Sequence, residues 1–170
     1  MKKLLALALA ATLALGLAAC GDDPVTMSTR TANGISIDLP SDIGEFKDQN
    51  GVKLATSEDS TSVVTVTAVS DAGGTLPGDI DQDSYVQSVF PENNSVEVVK
   101  YDNAANCNGV PAIFAVCNVT NDSGNKVVTQ AYMLFYNDGT LQGVSISYSA
   151  VDETSTKANM DAILASIKKS

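Results

Sequence analysis

The 170-residue chain carries three thiols and 20 carboxylates, but no histidine and no tryptophan. Without histidine there is no Ser-His-Asp or Cys-His nucleophile and no histidine-ligated metal centre. Without tryptophan a sugar-stacking site is weakened. Among the thiols Cys20 stands apart. It ends the run Leu17-Ala18-Ala19-Cys20, which follows Lys2, Lys3 and a stretch over residues 4–19 that is apolar except for Thr12. Cys107 and Cys117 are left as an even pair. In an oxidising compartment they are a disulfide candidate, closing an eleven-residue loop and contributing about 3 kcal/mol in the chain-entropy model. The competing reading is two separate thiols, with Cys117 a small core residue. No CxxC spacing is present, so neither thiol reads as redox-active.

The carboxylates offer two further chemistries. Asp79-Ile80-Asp81-Gln82-Asp83 begins like a calcium loop, but that pattern needs glycine at its sixth position and a carboxylate at its twelfth. This chain has Ser84 and Phe90 there. The three acids are read instead as charges around a helix N-terminus. Paired carboxylates also run glycoside hydrolysis, yet no spacing singles out a pair. Gly73-Gly74 lacks the lysine and the helix spacing of a phosphate loop. No catalytic residue, metal ligand or cofactor is assigned, and the chain is read as a non-enzyme.

The amino end is more specific. A positive start, an apolar stretch and small residues before a cut make a secretory signal. Sixteen helical residues reach about 24 Å, short of the roughly 30 Å hydrocarbon core. Residues 1–20 resemble bacterial lipoprotein signals with their lipobox. The resemblance implies cleavage between Ala19 and Cys20, and a diacylglycerol and fatty acyl chain on Cys20. Two or more acyl chains give a stable anchor. The expected location is the extracytoplasmic face of the cell membrane, with the membrane itself a partner through the lipid.

Composition bounds the rest. The 10 basic and 20 acidic residues give −10, and losing Lys2 and Lys3 with the leader leaves 8 against 20, or −12. Such a surface repels nucleic acid and anionic headgroups, so no nucleic-acid partner is expected. The domains read as a signal peptide over 1–19, a lipidated N-terminus and polar tether (CGDDPVTMSTRT) over 20–31, and one folded domain over 32–170.

Within that domain, alternation predicts strands over 34–40, 52–56, 62–69, 95–101, 111–120, 126–136 and 141–150. The last three form a meander turning at residues 121–125 and 137–139. A short helix is predicted over 81–90, capped by Asp81 or Asp83, with Tyr85, Val86, Val89 and Phe90 on one face and Pro91 ending it. A final helix runs from a Thr154 or Ser155 cap to about residue 168. Met160, Ile163, Leu164 and Ile167 form its stripe, and Lys168 and Lys169 sit at its C-terminal dipole. Strand 126–136 has two stripes, Tyr132-Leu134-Tyr136 and Val127-Thr129-Ala131-Met133-Phe135. Burial of both between layers is favoured over one serving as a partner surface. The expected fold is α+β, with a mostly antiparallel six- to seven-stranded sheet.

The opening Ile-Asp-Leu-Pro-Ser strand, the helix after three strands, the strand following Asn-Gly-Val-Pro-Ala and the closing Ile-Leu-Ala-Ser-Ile-Lys helix resemble PsbP/Mog1-like domains. The similarity covers residues 32–169 and implies an α/β/α sandwich. Members include photosystem-associated subunits, a nuclear transport factor and bacterial lipoproteins. The resemblance implies an accessory or protein-interaction module at the cell envelope. The alternatives are small-ligand or cation binding between sheet and helix, then a cell-wall enzyme.

Overall fold

The computed structural model describes residues 25–90, 95–120, 124–149 and 158–170. The signal peptide, the Ala19–Cys20 cleavage site, Cys20, the first tether residues, Pro91 and the Thr154 and Ser155 caps lie outside the described residues.

Three hairpins are closed by the pair Asn-Gly. β1 (Met27–Ala32) and β2 (Ile35–Pro40) join at Asn33-Gly34; β3 (Lys47–Gln49) and β4 (Val52–Thr56) join at Asn50-Gly51. β7 (Ser95–Cys107) and β8 (Val110–Thr120) join at Asn108-Gly109. All six turn residues have positive φ, from 47° at Asn33 to 92° at Gly109. Two-residue loops with both central residues left-handed match the right-handed twist of the strands they join. The remaining elements are β5 (Ser62–Val66), β6 (Ser70–Asp71), a 3₁₀ turn (Pro77–Asp79), α1 (Gln82–Val89), β9 (Lys126–Phe135), β10 (Thr140–Ser149), α2 (Met160–Ser166) and β11 (Lys168–Lys169).

One sheet has eight strands in the order β3-β4-β5-β10-β9-β8-β7, with β6 also on β10; a second has three, β1-β2-β11. The strand pairs are antiparallel. The architecture is α+β, with α2 and the small sheet on one face of the large sheet and α1 on the other. Alternation along β8 decides which side chain goes where. Ala112 joins a core with Ile35, Ile37, Val64, Ile146, Ile163 and Ile167. Ile113, Ala115 and Cys117 point the other way, to Tyr85. Burial of such aliphatic side chains contributes about 1.5–3 kcal/mol each.

The structure corrects four expectations. The tether does not run to residue 31, because β1 starts at Met27 and pairs along its length with β2. The polar sequence of β1 suits an edge strand with three of its six residues exposed. The last helix stops at Ser166, and Lys168 and Lys169 form β11 against Ile35 and Ser36. The expected strand over 62–69 ends at Val66, and β6 takes up the pairing with β10 at Ser70. The strand over 95–101 runs on to Cys107 through two register shifts, at Val98/Lys100 and Asp102/Ala105.

Candidate functional site

The covers on the large sheet are offset, so each face has a stretch with little over it among the described residues. On the first face α2 and the small sheet lie over β4, β5, β10, part of β9 and, at Cys107 and Ala112, the hairpin end of β7 and β8, with Phe114 and Tyr132 packed against the margin of that core. Farther out, on β8 and β9, Phe114 and Tyr132 stack with centroids 4.8 Å apart, and the Lys100 ammonium stands 5.1 Å above the Phe114 ring. Val116 follows Phe114 on the same face. Phe114, Val116 and Tyr132 are all partly exposed. Burial holds the Tyr132 hydroxyl above its ordinary pKa. Large aromatic side chains are enriched in the cores of protein interfaces.

On the second face α1 is fixed at its start. Asp81 caps it, its carboxylate accepting from the Ser84 N–H at 2.8 Å. That N–H holds the Asp81 carboxyl below its usual range. The preceding turn is pinned to β7, where Tyr101 donates to the Ile80 carbonyl at 2.6 Å and Asn103 at 3.1 Å. Tyr85 then packs against Tyr101, with ring centroids 5.6 Å apart. Beyond Tyr85 a cavity of about 380 Å³ opens between α1 and the β9–β10 strands. Ala131, Gly143 and Ser145 line it from the sheet, and Tyr85, Ser88 and Val89 from the helix. The small sheet residues leave the space. A Cβ on Gly143 would lie 3.2 Å from Thr67 Cγ2.

The Cys107–Cys117 disulfide is not formed. Both thiols are free and buried. Cys107 packs in the first core, its thiol donating to the Ile167 carbonyl at 3.8 Å, and burial pushes its pKa up to about 11. Cys117 packs in the second core. Cys107 pairs with Val110, seven residues along β8 from Cys117, which is roughly 23 Å at 3.3 Å per residue. A disulfide needs Cα atoms about 4.4–6.8 Å apart.

Asp79 and Asp81 are engaged by backbone. The Asp79 carboxylate accepts from the Leu76 N–H at 2.9 Å and Asp81 caps α1. No group of three or more His, Cys, Asp or Glu side chains among the described residues is arranged to hold a metal ion. Of the stripes on β9, Leu134, Thr129, Ala131 and Phe135 are buried, whereas Tyr132, Tyr136, Val127 and Met133 are partly exposed. A small-ligand pocket between sheet and helix was expected as an alternative, but without the residues that line this cavity.

The layers, strand order and offset helices define the Mog1/PsbP-like fold. The chain is similar to the crystal structure of the Ran-binding protein Mog1p of Saccharomyces cerevisiae, with TM-score 0.56, 10% identity, and coverage of 85% of this chain and 96% of that one. A mutant of protein Mog1 gives TM-score 0.58 at 10% identity, with the same coverage. The solution structure of cyanobacterial PsbP (CyanoP) from Synechocystis sp. PCC 6803 gives 0.56 at 14% identity, covering 91% of this chain and 99% of that one. No protein-family model and no curated protein sequence matches the chain.

Proposed function

We propose that the chain is a lipid-anchored accessory protein of the cell envelope, working without catalysis by docking a partner protein on the Phe114–Tyr132 patch. The patch carries the reading. It is a stacked aromatic pair under Lys100, partly exposed, with Val116 beside it. Mog1p, of the same fold, is a Ran-binding protein by name, which supports a protein partner as the kind of ligand such a fold carries. The lipobox supports the location. With β1 starting at Met27, seven residue steps separate Cys20 from the folded domain, at most about 25 Å at full extension. The partner is thereby restricted to proteins within, or close above, the same membrane.

A photo-crosslinking residue in place of Val116, in intact cells, tests the reading. It is expected to trap a membrane-associated protein that the same residue in place of the exposed Glu58, in the β4–β5 turn, does not. Equal trapping from both positions, or none from Val116, refutes the docking surface.

A further inference from the structure

The cavity beside α1 lies on the opposite sheet face from the Phe114–Tyr132 patch, and what it takes is independent of that reading. About 380 Å³ falls within the roughly 300–1,000 Å³ of small-ligand sites. No lysine, arginine, aspartate or glutamate lines it, although 18% of the chain is charged. A charged occupant would lose hydration and meet no counter-charge. Leu141, Met133 and Val89 present apolar surface, and Ser88 and Ser145 stand at its edge as neutral hydroxyls.

Tyr85 gives the second observation. It lines the cavity and is only 2% exposed. Its neighbours are accounted for: the Tyr101 ring, and the Ser88 hydroxyl donating to its backbone carbonyl at 2.8 Å. Burial, and after it the nearby Cys117 and Tyr101, hold the Tyr85 hydroxyl above its ordinary pKa. Tyr101, beside it, has its hydroxyl paired. The Tyr85 hydroxyl is not among the fully buried atoms left without a partner, so it is open to water, and a polar atom carried in by an occupant can take that water's place.

We propose that this cavity binds an uncharged, largely apolar small molecule, an alkyl or aryl group with one neutral polar end, and that the Tyr85 hydroxyl hydrogen-bonds that end. The apolar part lies on Ala131, Met133, Leu141 and Gly143. Discrimination is by charge: an alcohol or ester enters and the matching carboxylate does not.

The test uses the full chain in its own membranes and two diazirine probes with the same ten-carbon tail, one a primary alcohol and one a carboxylic acid at neutral pH. Crosslinked residues are mapped by mass spectrometry. The alcohol is expected to label α1 and the β9–β10 strands saturably, and the carboxylate about tenfold less or weaker still. Tyr85→Phe is expected to lower labelling at sub-saturating alcohol about 3- to 10-fold, the loss of one hydrogen bond. Ser145→Leu fills the cavity from the sheet side and Ser88→Leu from the exposed helix side. Either, melting with the parent, is expected to abolish labelling there. Equal labelling by both probes, no saturable labelling of these elements, or labelling unchanged by Ser88→Leu overturns the site. Labelling unchanged by Tyr85→Phe overturns the role given to its hydroxyl.

Discussion

Gln142 is 1% exposed yet polar, and it ties the small sheet to the large one. Its amide donates to the Asn33 carbonyl at 2.9 Å and the Thr67 carbonyl at 2.8 Å, and its carbonyl accepts from the Tyr136 hydroxyl at 2.9 Å. Asn33 in turn donates from its side chain to Gly51 and Val66 carbonyls at 3.0 and 3.1 Å. Gln142→Leu keeps the volume and removes three hydrogen bonds, leaving two carbonyls and a hydroxyl to find other partners. At about 1 kcal/mol each the loss is roughly 3 kcal/mol, or about 6–12 °C in Tm for a domain of this size. Tyr136→Phe removes one of the three and is expected to cost about 1 kcal/mol. Urea unfolding followed by circular dichroism gives both values. Hydrogen exchange in Gln142→Leu is expected to speed first at the β1–β2 hairpin, which loses one of its three ties through Asn33. A Gln142→Leu loss below about 0.5 kcal/mol, or one no larger than that of Tyr136→Phe, refutes the reasoning, because desolvated carbonyls left without a donor do not come free.

Further outcomes follow from other residues. Gly109 has φ +92°, and a Cβ there meets nothing within 4 Å, so Gly109→Ala is expected to lose about 1 kcal/mol by backbone strain alone, read as a lower urea midpoint at an unchanged slope. Asn108 donates to the Ala165 and Ile167 carbonyls at 3.0 and 2.6 Å, holding the end of α2; Asn108→Gly keeps the turn but is expected to raise amide exchange in α2. Cys107 and Cys117 are expected to resist alkylation in the native state and both to react in urea without reductant, because burial raises both pKa values, that of Cys107 to about 11, and keeps them as thiols. The carboxyls of Asp59 and Asp138 lie below their ordinary value, held chiefly by the Ser57 and Thr140 hydroxyls respectively. A depressed folded pKa gives stability above the unfolded value and loses it as pH falls through the folded one. The urea midpoint is therefore expected to hold from neutral pH down to about 5 and fall below 4, with a shallower fall in Asp59→Asn.

Periodicity was informative where one face of an element is buried. Val64 and Val66, or Val144 and Ile146, alternate with half-exposed Thr65 or Ser145, and that pattern reads directly as a strand. Tyr85 and Val86 likewise placed α1, and its Asp81 cap was readable from residue type. β1 was not legible as a strand because it is a polar edge, but Asn33-Gly34 marks a hairpin and a hairpin requires a strand on both sides. The same signal at Asn50-Gly51 marks β3. β11 had no local signal: two lysines after a helix read as a helix end, and only packing against β2 makes them a strand. The even count of cysteines suggested a bridge that strand register forbids. The residues lining the cavity were hidden because their signal is smallness at Ala131, Gly143 and Ser145, which lie on two strands and meet only once those strands pair. The Phe114–Tyr132 pair was hidden for the same reason, since the two residues are neighbours across β8 and β9.

The location of the protein underlies the proposed role, and Cys20 decides it. Cells expressing the chain are fed an alkyne fatty acid, and the protein is recovered and its label measured beside Cys20→Ala. The account predicts label on the parent chain in the membrane fraction, and an unlabelled Cys20→Ala. Equal label on both, or an unlabelled parent chain, would contradict it.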